Sequence, residues 1–283
     1  MVIRITDFVV ARILEFIASI NTSINNAYAV LTEDIFNAGA GGVFGGVHTV
    51  VNGIAAGIRG TALTILGLCF IIEFLKVLVN EDIMKWQTGF KVLAKFSLSR
   101  LALDISAMVM TAIYATAVNL IGTLNLVGND SMMDEVQNDV EAALSGMNMF
   151  ETLGMLPLIG IAFVVIWIAG IVIHVIAFAR AIELFLHIAI APLPSSLMML
   201  EGGGSRLYKK FIMSFAACCL QGFFIVLSIV IYQSIIQGAF DAATASGTGE
   251  PLTVIAGALL MGTLVLVLSV QKSGAVAKQI LDV

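Results

Sequence analysis

Residues 178 to 210 read Phe178-Ala-Arg-Ala-Ile-Glu-Leu-Phe-Leu-His-Ile-Ala-Ile-Ala-Pro-Leu-Pro-Ser-Ser-Leu-Met-Met-Leu-Glu-Gly-Gly-Gly-Ser-Arg-Leu-Tyr-Lys-Lys210. Arg180, Glu183 and His187 fall at i, i+3 and i+7, so a helix stacks them as a polar stripe on an otherwise apolar surface, with Arg180 and Glu183 close enough to pair. Pro192 and Pro194 remove two backbone donors and bias Ala191 and Leu193 toward extended conformations, which predicts a break. Gly202, Gly203 and Gly204 then supply a flexible turn. Arg206, Lys209 and Lys210 form a basic cluster just before the next apolar run, the placement expected of a cytoplasmic face. The stretch 180–210 therefore reads as a charged, proline-broken knee between two membrane spans, re-entrant or interfacial and packed inside protein.

Working outward from this knee, apolar runs long enough to cross a bilayer recur on both sides. We expect five spans, over 54–79, 101–127, 153–179, 211–236 and 252–270, each near or above the roughly 20 residues that the hydrocarbon requires. Composition agrees. The chain has 283 residues, of which 59% are hydrophobic and 12% charged, and its mean hydropathy is +1.03. Soluble globules carry about 25% charged residues. The expected class is an all-α, polytopic membrane protein.

The remaining segments are read from charge and periodicity. Residues 1–37 place Ile3, Phe8, Ile13, Ile17 and Ile20 opposite Arg4, Asp7, Arg12 and Glu15, the pattern of an amphipathic interfacial helix. No cleavage site follows a clean apolar core there, so we expect no cleaved signal peptide. The Gly-rich segment 38–60 leads into the first span. It holds Gly41/Gly45, Gly42/Gly46 and Gly53/Gly57 at four-residue spacing, which lets helix backbones approach closely. Residues 81–100 read as a basic amphipathic connector on the cytoplasmic leaflet between the first two transmembrane helices (54–127). The loop 128–151 is acidic, without Lys or Arg. The three later spans occupy 153–270, and 271–283 is a short tail. Eleven of the fourteen Lys and Arg fall in 76–100, 180–210 and 272–278. This charge asymmetry places those segments and the C-terminus inside, and the N-terminus and acidic loop outside.

There is no His-Glu-x-x-His pair, no phosphate loop and no Gly-x-Ser-x-Gly elbow. Glu183 and His187 at i, i+4 lack further metal ligands nearby, so we expect no metal and no cofactor. Cys69, Cys218 and Cys219 lie within spans and read as small apolar residues. Asp104, near the start of the second span, is expected to pair with Arg100 or Lys95. It has no second intramembrane aspartate with which to form a protease dyad. An enzyme is not expected.

The order Arg180, short apolar helix, Ala191-Pro192, small-residue turn, basic residues at 206–210 and an apolar span containing Gln221 resembles the central part of the TrbL family. These are polytopic inner-membrane subunits of type IV secretion and conjugation systems. The resemblance covers about 60 residues and the overall layout. This chain departs from many relatives in having no long polar C-terminal region. The resemblance implies a homo-oligomer in the cytoplasmic membrane. Its partners would be other secretion membrane subunits, a secretion ATPase, membrane lipid and the translocated DNA or protein. It also implies that Gly41, Gly42, Gly45, Gly46, Gly53 and Gly57 pack subunits together. Arg180, Glu183 and His187 would then fix the knee. The competing reading is a small-molecule or ion transporter, because broken helices at membrane depth also build transport sites.

Overall fold

The computed structural model describes residues 44–79, 86–125, 149–200, 202–245 and 251–282, with Thr22 and Asn26. The described residues are almost wholly helical, without strands. In chain order the helices are α1 (Gly45–Val79), α2 (Trp86–Asn125), α3 (Met149–Ile190), α4 (Pro192–Leu197), α5 (Gly204–Ala245) and α6 (Pro251–Ile280). Five of them are long and apolar enough to cross a membrane. The expected helix over 1–37, apart from Thr22 and Asn26, and the stretch 128–148 of the expected loop lie outside the described residues, as do Gly41 and Gly42.

Every long helix overshoots the apolar run that announces it. The basic residues from Lys91 to Arg100 are the first part of α2, continuous with the second span, rather than a separate connector. Arg180, Glu183 and His187 belong to the last turns of α3. The basic cluster Arg206, Lys209 and Lys210 occupies the first turns of α5, and α6 carries the expected tail on to Ile280. The reason is that Lys, Arg, Glu and Leu are all good helix formers. A change in hydropathy marks a change of solvent and does not by itself end a helix. At 35 to 42 residues, α1, α2, α3 and α5 are roughly 50–60 Å long against a hydrocarbon core of about 30 Å.

At the knee, the expectation for Ala191 is overturned. It is right-handed helical, with φ −46° and ψ −36°, so the chain makes a helical turn between α3 and α4 instead of an extended step. The bias that a proline places on its predecessor is a preference, and here packing outweighs it. Ala191 and Pro192 are buried, and α4 packs on α1. Proline at the first position of α4 costs nothing, since that amide has no intrahelical acceptor anyway.

Two compact units divide the chain. One is built chiefly from Val118–Ala179 and Gln221–Ala275, the other from Glu33–Ala117, Arg180–Leu220 and Val276–Val283. Among the described residues, every Lys and Arg except Lys272 falls in the second unit.

In the first unit α5 and α6 form an antiparallel seam. Ser228 meets Ser269 at 2.8 Å, and Tyr232 meets Thr263 at 3.2 Å. Gly262 allows this approach, because a Cβ there would lie 3.0 Å from the Tyr232 ring and 3.1 Å from Ile236. The buried positions Ile225, Val226, Ile229, Tyr232 and Ile236 recur at three- and four-residue spacing along α5, the period of one helix face.

In the second unit α1 and α2 run antiparallel. Arg59 pairs with Asp104 and Phe70 lies 5.0 Å from Phe96, so residue numbers rise on one helix as they fall on the other. Leu66, Cys69, Val92 and Met199 form the buried centre. Met199, from the end of the knee, closes the hairpin.

Candidate functional site

The polar knee lies in the second unit, where the end of α3 meets the start of α5. Arg180 is largely buried, with its side chain 11% exposed, and it donates from Nη1 to the Glu183 carboxylate. The same nitrogen lies 3.3 Å from the Cys218 sulfur on α5. A guanidinium is removed from water at high cost unless a carboxylate and further acceptors meet it. Glu183, at 40% exposed, keeps contact with solvent and supplies that carboxylate from one turn away.

His187 is held by its own helix and by α5. Its Nδ1 lies 2.8 Å from the Glu183 carbonyl oxygen, an acceptor, so Nδ1 carries the proton in the neutral ring. Nε2 then accepts from the Ser214 hydroxyl at 3.4 Å. The ring lies between Phe211 and Phe215, with centroids 5.6 and 5.9 Å away. Phe185, two residues before His187, packs on Phe44 just before α1 at 5.6 Å. The stripe thus joins α3 to α5, and Phe185 ties the same helix to the approach to α1.

The three glycines of the turn do different things. Gly202 has φ +90°, a conformation that disfavours any side chain. At Gly204 an added Cβ would fall 1.8 Å from the Leu197 carbonyl oxygen, inside the atom, whereas at Gly203 it meets nothing. At Gly46, Gly53 and Gly57 a Cβ also meets nothing within 4 Å. These glycines therefore make no close helix contact within the described chain. The close approach occurs instead at Gly262, which the sequence pattern did not single out. Arg206, Lys209 and Lys210 are exposed on α5.

A second polar group was only half expected. Asp104 accepts from Arg100 one turn before it, at 3.1 Å, and also from Arg59 on α1. The signal for Arg59 was its isolation in an apolar helix, which calls for a counter-charge. Its distance in sequence hid the partner. Among the described residues, no three His, Cys, Asp or Glu side chains converge as a metal would need.

Residues 31–192 match the family described as TrbL/VirB6 plasmid conjugal transfer like protein, over more than half of the chain. The chain belongs to that family. No curated protein and no solved structure matches it. The TrbL/VirB6 match takes in α1, α2 and α3 with Arg180, Glu183, His187 and the glycines at 41–57, and it ends at Pro192. Pro194, Gly202 to Gly204 and the basic cluster lie beyond it. This TrbL/VirB6-like protein is a membrane protein of the conjugal transfer class, and the family gives no support to the transporter reading.

Proposed function

We propose that this TrbL/VirB6-like protein is a non-enzymatic subunit of a type IV secretion or conjugation apparatus. It oligomerises in the cytoplasmic membrane and helps form the channel or assembly platform through which DNA or a protein–DNA complex is passed. Family membership over residues 31–192 is the observation that carries this reading. Its partners are further copies of itself, other membrane subunits of the apparatus and a secretion ATPase.

Orientation is supported by the charge pattern. The second unit holds all the described cations but Lys272, and cytoplasmic segments concentrate Lys and Arg. The C-terminus is then inside, and the N-terminus and the acidic stretch 128–151 are outside, where that stretch meets substrate or a partner. Gly46, Gly53 and Gly57 face open space in one chain. In lipid, such a small-residue face lets a neighbouring helix approach closely. The knee residues Arg180, Glu183 and His187 hold the shape that subunits must share.

The test is purification of the tagged protein in mild detergent, with mass determination of the particle and identification of what co-purifies. A ring-sized homo-oligomer that brings down a secretion ATPase is expected. A monomer or dimer without partners would reject the reading.

A further inference from the structure

A cleft of about 530 Å³ opens in the second unit between one face of α2 and the segment joining α4 to α5. Lys95 and Ser99 line it from α2, Gly202 from the turn before α5 and Ser205 from its first turn, and Leu98 and Met199 supply apolar wall. Ser99 is only 2% exposed, whereas Leu98 is 53% exposed, so a polar floor stands beside an open greasy side.

Three features give the cleft a preference for an anion. Lys95 brings a charge into it, and Lys91 and Lys209 stand one helical turn along from Lys95 and Ser205, on the same faces of α2 and α5. Helix α5 begins at Gly204, so its positive dipole end meets the Gly202–Ser205 wall.

Two features make the anion amphiphilic. The wall is apolar, and the cleft stands where both helices change character. No Asp, Glu, Lys, Arg or His occurs from 105 to 125 in α2 or from 211 to 240 in α5. That is where a headgroup region ends and hydrocarbon begins, and basic pockets at this level bind lipid phosphates.

We propose that this cleft binds an anionic phospholipid, with the headgroup phosphate at Lys95, Ser99 and Ser205 and an acyl chain along Leu98 and Met199. The proposal rests on the membrane character of the chain and stands apart from the conjugation reading.

The experiment uses the full-length protein in detergent, stripped of lipid and titrated with dioleoyl phosphatidylglycerol or dioleoyl phosphatidylcholine, with bound lipid counted by native mass spectrometry. The wild type should prefer the anionic lipid. Lys95→Gln should weaken its binding about fivefold, Lys95→Arg should retain it, and Lys272→Gln, in the other unit, should leave it unchanged. Retention in Lys95→Arg separates loss of the charge from loss of the fold. Equal retention of the two lipids, or an intact preference in a normally eluting Lys95→Gln protein, would overturn the proposal. Displacement of the lipid by glycerol phosphate at matched concentration would assign the cleft to a soluble phosphate and overturn it equally.

Discussion

Arg59 on α1 holds the carboxylate of Asp104 on α2, 45 residues along the chain, and Arg100 holds the other oxygen of the same group. One carboxylate thus serves two guanidiniums on adjacent helices. Removing Asp104 leaves two cations facing each other, whereas removing Arg59 leaves a normal pair within α2. We expect Asp104→Ala to lower the melting temperature in detergent more than Arg59→Ala does. The double variant should recover part of the loss. Equal shifts for the two single variants would show that the groups are independent.

The turn into α5 makes a sharper prediction. Gly204→Ala would drive a methyl group into the Leu197 carbonyl, and over-packing against backbone costs about 1–3 kcal/mol or more. Gly202→Ala strains a positive φ and costs about 1–2 kcal/mol. Gly203→Ala should be neutral. Thermal stability of the three proteins, followed by size-exclusion chromatography after heating, checks the order 204, 202, 203.

At the knee, Arg180→Ala strips the partner from Glu183 and the contact from Cys218. Hydrogen bonds to charged groups contribute about 1.5–3 kcal/mol, and Arg180 is the buried member. Lys209 is exposed. The yield of assembled particle should fall with Arg180→Ala and hold with Lys209→Ala. Equal yields would remove the knee from assembly.

In the α5–α6 seam, Tyr232→Phe deletes one interhelical hydrogen bond, worth about 0.6 kcal/mol inside membrane bundles. Gly262→Val should do far more damage, since even a Cβ already reaches 3.0 Å from the Tyr232 ring. Unfolding in denaturing detergent separates the two.

Sidedness is tested by labelling intact cells with a membrane-impermeant thiol reagent. The native Cys69, Cys218 and Cys219 are buried, which keeps the background low. Asp134→Cys should react and Lys209→Cys should not. The opposite pattern would invert the topology.

Much of this architecture is legible in the sequence. Apolar run length alone specified a five-span, all-helical membrane chain, because a backbone in hydrocarbon must satisfy its own hydrogen bonds and a helix does so within one segment. The stripe Arg180, Glu183 and His187 was legible as well, since i, i+3 and i+4 neighbours are a property of helix geometry.

What needed tertiary structure were the relationships that local rules leave open. Helix ends are one example: hydropathy locates the bilayer, while the helices run on through Lys91–Arg100 and Arg206–Lys210, the second as far as the glycine turn before α5. Conformation at Ala191 is another, where a modest bias yielded to the packing of α4 on α1. Gly204 and Gly262, rather than Gly46, Gly53 and Gly57, proved to be the glycines with no room to spare, because close approach depends on which faces meet. The pairing of Arg59 with Asp104 follows from the antiparallel register of α1 and α2. Register is set by the packing of side chains such as Phe70 and Phe96, and a sequence read one segment at a time contains no such contact.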